Sequence, residues 1–241
     1  MGSKMTQAQQ TLMHWVEESE NTVFFGGAGV STESGIPDFR SEDGLYRQKY
    51  AYPPETILSH SFFEQHTEAF FAFYREKMLC LDAQPNTAHR CLARWESEGR
   101  LAAVVTQNID GLHQKAGSRR VWELHGSFHR NTCLRCGSHY DAACIRDSVG
   151  IPRCRCGGVI KPDVVLYEEP LDQTVIQGAL QAIRAADLLI VAGTSLSVYP
   201  AAGFLDAFSG RHLVVINRSA TPLDARADLL IQDAVGKVLT F

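Results

Sequence analysis

Four cysteines in two close pairs carry the strongest chemical signal in the sequence. Cys133 and Cys136 are separated by two residues, and Cys154 and Cys156 follow 17 residues later with one residue between them. Two such pairs supply four thiolates, which is the ligand set of tetrahedral structural zinc. Since no position is left for a catalytic water, we predict one structural zinc ion. Two disulfides are the weaker alternative.

Polar side chains that follow short apolar runs form a second candidate site. Gln107, Asn108 and Asp110 follow one such run, and His125 follows the next. A histidine at a strand exit can act as a general base near neutral pH, because its unperturbed pKa is about 6.5. The alternatives are a helix N-cap for Asn108 or Asp110 and a surface or capping role for His125.

Glycine and hydroxyl residues suggest a phosphate site. The first apolar run ends in the glycine-rich segment 26–31, and glycines after a strand let the backbone approach a phosphate. A tight turn without a ligand is an equal alternative. The G-x-G-x-x-G spacing is absent, which argues against hydride transfer. Thr194, Ser195 and Asn217 follow two later apolar runs, where they can bind phosphate or ribose.

The apolar runs predict the strands that position these residues. Runs this short and continuous are typical of strands buried on both faces, and amphipathic helical patterns lie between several of them. The runs are 22–25, 101–105, 121–124, 164–166, 188–192, 213–216 and 229–231, and the helical patterns are 6–19, 87–98 and 172–185. We therefore predict an α/β fold with a Rossmann-like, doubly wound parallel sheet.

Two stretches interrupt the alternation and predict a smaller second lobe. Residues 41–79 contain no obvious strand but include an aromatic-rich helix at 62–78, and residues 128–161 are rich in Cys, Gly and Arg. We assign 1–40, 80–127 and 162–241 to the Rossmann-like lobe, and 41–79 and 128–161 to a small lobe with a helical part and a zinc ribbon. A ligand is expected in the cleft between the lobes.

Composition and charge narrow the class of partners. The 241 residues carry 23 Lys plus Arg and 27 Asp plus Glu, a net charge of -4, which does not favour binding to nucleic acid. No stretch of about 18 apolar residues exists to span a membrane, and the N-terminus lacks the apolar core of a signal peptide. We expect a cytoplasmic monomer that binds neither nucleic acid nor membranes.

Together and in this order, the motifs resemble those of the sirtuins, the NAD-dependent protein deacylases, and most of all the bacterial members. The matching segments are 27–31, 35–40, 106–113, 123–126, the four cysteines, 161–165 and 193–196. The resemblance extends from about residue 22 to residue 235. It implies a Rossmann-like lobe, a zinc-bearing lobe, and NAD consumed as a co-substrate.

The resemblance also implies roles for individual residues. The implied NAD contacts are Ala28, Thr32, Phe39 and Arg40 at the diphosphate and nicotinamide ribose, Gln107 and Asn108 at the riboses, Ile109 and Asp110 at the carboxamide, and Thr194, Ser195, Asn217 and Val235 at the phosphates and adenosine. His125 would contact NAD as the general base, and Asn108 would join it in catalysis. The substrate peptide would lie as a strand against Val165, Tyr167 and Val198.

The implied reaction transfers an acyl group from lysine to ADP-ribose. The acyl oxygen of acyl-lysine attacks the anomeric carbon as nicotinamide leaves, and His125 then removes a proton from the ribose diol. The products are free lysine, nicotinamide and O-acyl-ADP-ribose. Family members that prefer succinyl or malonyl lysine carry a Tyr and an Arg where this chain has Phe71 and Tyr74. Without that cation we expect acetylated-lysine proteins as substrates.

Other functions remain open at this point. Within the same chemistry, the alternatives are a protein mono-ADP-ribosyltransferase and a deacylase that prefers longer acyl chains. A different class is a non-enzymatic sensor that binds zinc and NAD.

Overall fold

The structure is a computed structural model that describes residues 5–38, 44 and 50–240. Its main element is a six-stranded parallel sheet with the strand order β3-β2-β1-β7-β8-β9. The strands are β1 (Thr22–Gly26), β2 (Ala103–Thr106), β3 (Val121–Glu123), β7 (Leu188–Ala192), β8 (His212–Ile216) and β9 (Leu229–Ile231). This topology confirms the predicted Rossmann-like fold.

The pairing register aligns the carboxyl ends of all six strands in one row. Gly26 lies opposite both Thr106 and Ala192, and the row continues to Glu123 on one side and to Ile216 and Ile231 on the other. The residues that follow these strands are therefore neighbours at one edge of the sheet. Ligands of doubly wound folds bind at this edge.

Both faces of the sheet are covered by helices. Phe24, with the side chains that share its face, packs against α1 (Gln7–Glu18), α5 (Thr87–Ser97) and α9 (Val235–Val238), whereas Val23 and Phe25 face α8 (Gln173–Ala185). Successive residues of β1 thus enter two separate cores, as the period of two in a strand requires. The continuous apolar runs follow from burial on both faces.

Polar residues cap the three long helices that cover the parallel sheet. Thr6 forms a capping box with Gln9 at the start of α1, and Asn86 forms one with His89 at the start of α5. The carboxylate of Asp172 accepts from the backbone N–H groups of Thr174 and Val175 at the start of α8. These bonds satisfy N–H groups that have no partner within the helix.

A second sheet is antiparallel, with the strand order β5-β4-β6. Its strands are β4 (Gly126–Cys133), β5 (His139–Tyr140) and β6 (Ile160–Val164), and α7 (Ala142–Arg146) lies between β5 and β6. The prediction of a strand at 164–166 was wrong. The strand ends at Val164, and it alternates buried and half-buried residues because only one of its faces is covered.

The predicted aromatic helix at 62–78 was also wrong, since two helices occupy this stretch. After the short α2 (Pro54–Ile57), α3 (His60–Gln65) ends at His66, where the backbone leaves the helical conformation, and α4 (Thr67–Lys77) follows. The bend brings Phe63 edge-on to Phe70, with ring centroids 5.1 Å apart. Packing of these rings favours the bend over a straight helix.

The aromatic helices and the second sheet share one hydrophobic core. Phe62, Phe63, Phe70 and Phe71 pack in the same cluster as Phe128, Ile145 and Ile160. This shared core supports the predicted small lobe, although its boundaries at 41–79 and 128–161 stay a prediction. In the part of the chain that the structure describes, every helix is too short or too polar to cross a bilayer.

Candidate active site and candidate zinc centre

A cleft of about 560 Å³ lies along the carboxyl ends of the parallel strands. The side chains predicted to bind NAD or to catalyse the reaction line it together: Ala28, Thr32, Gln107, Asn108, Ile109, Asp110, His125, Thr194, Ser195, Asn217 and Val235. The predicted peptide contacts Val165, Tyr167 and Val198 line the same cleft. Phe39 and Arg40 lie outside the described residues. Their roles and those of the lining residues stay predictions.

Glycines allow two strand-end turns to touch. The N–H of Gly29 donates to the carbonyl of Gly193 at 2.8 Å. Gly193 has φ +59°, and a Cβ built there lies 2.5 Å from the nitrogen of Val30. A side chain at this position would strain the backbone and push the turns apart.

We therefore expect Gly193→Ala to lower the melting temperature by several degrees and to weaken NAD binding. The physical reason is that alanine at a left-handed φ, pressed against backbone atoms, lowers the free energy of unfolding by more than about 1 kcal/mol. Differential scanning fluorimetry with and without NAD measures both effects. Gly203→Ala is the matched control, because its Cβ meets nothing closer than 3.7 Å. Equal melting temperatures for both variants would contradict this reading.

A buried hydrogen-bond chain joins three side chains at the centre of the cleft. Asn108 Nδ2 donates to Ser31 Oγ at 3.1 Å, and Ser31 Oγ donates to Asp110 Oδ2 at 2.6 Å. The other carboxylate oxygen of Asp110 accepts from the backbone N–H of Leu112 at 2.9 Å. Burial raises the pKa of Asp110 above its ordinary value, and the bonds from Ser31 and Leu112 oppose that shift.

Ser31 is the residue that sequence reasoning missed. It is buried, and its hydroxyl connects the glycine-rich turn after β1 to the polar residues after β2. The sequence placed it within a motif but gave no signal for a pairing across 79 positions of chain. A second link across the cleft runs from Gln107 Nε2 to Thr194 Oγ1 at 3.0 Å.

The contacts of His125 suit it to act as a base. Its Nδ1 lies 2.9 Å from the backbone carbonyl of Gln107. Because a carbonyl only accepts, Nδ1 must carry the proton, and Nε2 keeps the lone pair in the neutral ring. Burial lowers the pKa of His125 below its ordinary value, and the bond to Gln107 opposes the shift only in part. The net shift favours the neutral ring.

The four cysteines come together at one end of the second sheet. Sγ of Cys133 lies 3.5 Å from that of Cys156, Sγ of Cys136 lies 3.6 Å from that of Cys154, and all four sulfurs lie within 4.8 Å of one another. None of the four forms a disulfide, so that alternative is wrong. Four thiolates this close together suit one zinc ion, which structural sites bind through four such ligands.

Further donors and a glycine shape the sulfur cluster. The backbone N–H of Arg135 lies 3.4 Å from Cys133 Sγ, and the hydroxyl of Tyr140 donates to Cys154 Sγ at 3.0 Å. Such donors favour the thiolate that a metal requires. A Cβ on Gly158 would lie 2.7 Å from Cys133 Sγ, so glycine is needed here. The four cysteines are positioned to bind one zinc ion.

Comparison with known proteins agrees with this geometry. A family model described as the Sir2 family matches residues 27–200. An NAD-dependent protein deacetylase of Clostridium acetobutylicum is 61% identical over 228 residues, which cover 93% of this chain and 93% of that protein.

Solved structures extend the agreement to the fold. One described as Sir2 with p53 peptide and NAD+ is 39% identical, with a TM-score of 0.86 over 96% of this chain and 95% of that chain. Another, Sir2 in complex with the inhibitor EX-527, 2'-O-acetyl-ADP-ribose and deacetylated p53 peptide, is 37% identical, with a TM-score of 0.85 over 95% of each chain. By sequence and by fold alike, the chain belongs to the Sir2 family.

Proposed function

We propose that this chain is an NAD-dependent protein-lysine deacetylase, which transfers acetyl from lysine to ADP-ribose and releases nicotinamide. NAD is its co-substrate. The observation that carries the proposal is that His125, half-buried with its Nδ1 2.9 Å from the carbonyl of Gln107, lines the same cleft as Asn108, Ser31 and Asp110. A relative of 61% identity is named for this activity.

The assay that tests the proposal follows free lysine and nicotinamide from an acetylated peptide with NAD. We expect both products in equal amounts, and only when peptide and NAD are both present. The runner-up, a protein mono-ADP-ribosyltransferase, instead predicts labelling of protein by NAD without release of lysine. That second outcome would sink the deacetylase proposal.

Residues in different parts of the cleft would bind different parts of NAD or transfer the proton. The turns after β1 and β7 bring backbone N–H groups and Thr194 to one side of the cleft, where an anionic diphosphate would be held. Asn108 and Asp110 would hold ribose and carboxamide groups. His125 Nε2 would take a proton from a ribose hydroxyl, while Gln107 fixes the other ring nitrogen. The zinc ion would stabilise the second sheet and take no part in chemistry.

The lowered pKa of His125 predicts the acid limb of the pH profile. The neutral ring is the active form, so activity is lost as the pH falls through the pKa of His125, which burial holds below 6.5. We therefore expect the midpoint of the acid limb of kcat/KM to lie at a lower pH than that of an ordinary histidine. Initial rates across pH 5 to 8 measure this. An acid limb centred above pH 7 would contradict the assignment.

The acyl end of the cleft predicts a preference for acetyl over succinyl lysine. Tyr74 lines the cleft with its hydroxyl buried, and Phe71 is buried beside it. Arg75, which follows Tyr74 in the chain, donates to the carbonyl of Ile145 at 2.9 Å and to Ser148 Oγ at 2.8 Å. Its guanidinium is therefore engaged away from the cleft. Lys77 does line the cleft, but its ammonium lies 2.9 Å from Glu76.

A peptide panel with acetyl, succinyl and long-chain acyl lysine tests this preference. Succinyl turnover should fall at least about tenfold below acetyl turnover, because a buried carboxylate without a partner costs more than about 1.4 kcal/mol. Equal succinyl turnover would contradict the role of Phe71 and Tyr74. Faster turnover of long uncharged chains would instead support the alternative of a longer-chain deacylase.

Two further proposals concern the whole protein. The free cysteines suit a reducing compartment, which supports a cytoplasmic location. A monomer stays a prediction, and light scattering with size-exclusion chromatography tests it.

A further inference from the structure

The carboxylate of Glu169 contacts three nitrogen donors around the segment 164–168. This segment begins at the last residue of β6 and lines the cleft. Oε1 of Glu169 lies 2.9 Å from His60 Nδ1, and its Oε2 accepts from Lys161 Nζ at 3.1 Å and from the backbone N–H of Leu166 at 2.9 Å. The side chains of Lys161 and Glu169 are 14% and 19% exposed, so water screens this pair less than a surface ion pair.

The charges around Glu169 agree with a fixed, ionised carboxylate. Burial opposes ionisation of Glu169, but Leu166 N–H, His60 and Lys161 outweigh it and lower its pKa. The hydrogen bond to Glu169 in turn raises the pKa of His60. Lys161 also donates to the carbonyl of Val164 at 3.1 Å. It therefore contacts both Val164 and Glu169, the residues at the two ends of this segment.

The same segment is tied to the start of α3 and to His125. The backbone N–H of Tyr167 donates to Leu58, its carbonyl accepts from His60, and the N–H of Val165 donates to the carbonyl of His125, each at 3.0 Å. Glu168 adds a side-chain contact, since its carboxylate accepts from the N–H and hydroxyl of Ser61. These bonds fix the distance between the segment and the base.

We propose that Glu169 is a positioning residue for the acetylated peptide, which holds residues 165–167 in place as the part of the cleft wall against which the peptide lies. This inference rests on the proposed function. Glu169 touches neither NAD nor the acetyl group in this role. It acts through the backbone of Leu166 and through Lys161, which sets the shape of the peptide-binding edge.

The test is a kinetic comparison of the full chain and its Glu169→Gln variant. Glutamine keeps the size of the side chain and one acceptor, but it loses the charge that pairs with Lys161 and His60. We expect the KM for acetyl-peptide to rise about tenfold while kcat and the KM for NAD change less than about twofold. Glu169→Asp keeps the charge but is one carbon shorter, so an intermediate peptide KM is expected.

Glu64→Gln is the matched control. Glu64 lies 3.4 Å from the other ring nitrogen of His60, and its side chain is 64% exposed. Its peptide KM should equal that of the unmodified chain. Should Glu169→Gln not fold, Lys161→Gln probes the same pair from the other side and carries the same expectation.

Two results would overturn the inference. One is an unchanged peptide KM in folded Glu169→Gln and Lys161→Gln. The other is an equal rise in KM for NAD and for peptide, as a merely structural role would give. If the proposed function itself is wrong, the unmodified chain will release no lysine from any acetylated peptide. This result is distinct from both outcomes above.

Discussion

Replacing His125 with alanine is expected to slow the release of free lysine by about 100- to 10,000-fold, the usual contribution of a general base. The side chain that supplies Nε2 is lost, and no other imidazole lines the cleft among the described residues. A discontinuous assay with acetyl-peptide and NAD, at saturating concentrations of each, measures the loss as a fall in kcat.

The variant must be separated from simple unfolding. Loss of the ring leaves the carbonyl of Gln107 without its donor, which costs about 1–3 kcal/mol when the carbonyl is buried. The assay is therefore run well below the melting temperature of the variant. His14→Ala is the matched control, because His14 is exposed and pairs with Glu18 on the surface of α1. Turnover in His125→Ala within threefold of the unmodified chain would remove His125 from the mechanism.

Removal of zinc is expected to have the largest effect on stability. Structural zinc contributes about 10–16 kcal/mol of apparent binding free energy in zinc-finger peptides, which is as large as the whole stability of a typical domain. In Cys154→Ala, we expect less than about 0.1 zinc ion per chain and a large fall in melting temperature. Metal analysis and fluorimetry measure these quantities.

Activity should fall together with zinc content. The core formed by Phe128, Ile145 and Ile160 packs beside the sulfur cluster, and β6 leads directly into the segment that lines the cleft. Cys144→Ser is the matched control, since Cys144 lies in the same region but outside the cluster. A Cys154→Ala variant that retains one zinc ion and melts normally would show that the cluster is not a metal site.

Much of the parallel sheet was predictable because its physics is local. The four inner strands are buried on both faces, so each appears in the sequence as a continuous apolar run. The register that aligns Gly26, Thr106, Ala192 and Ile216 then brings the following residues together. Polar residues after such runs were therefore correctly expected at one cleft.

The failed predictions involve contacts between separate elements of the chain. The run 164–166 is extended, but its backbone partners are His125 and Gly126 of β4, not the parallel sheet. The break at His66 depends on ring packing between Phe63 and Phe70. The bond from Ser31 to Asp110 depends on the crossing of two turns. None of these contacts follows from periodicity in a single segment.

The fate of the acetyl group tests the central claim most directly. A peptide with an isotopically labelled acetyl-lysine is incubated with NAD, and the early products are resolved by mass spectrometry. We predict that the label appears on ADP-ribose, with one nicotinamide and one free lysine formed for each acetyl transferred. Label found from the start as free acetate, or nicotinamide formed without free lysine, would contradict acetyl transfer at this site.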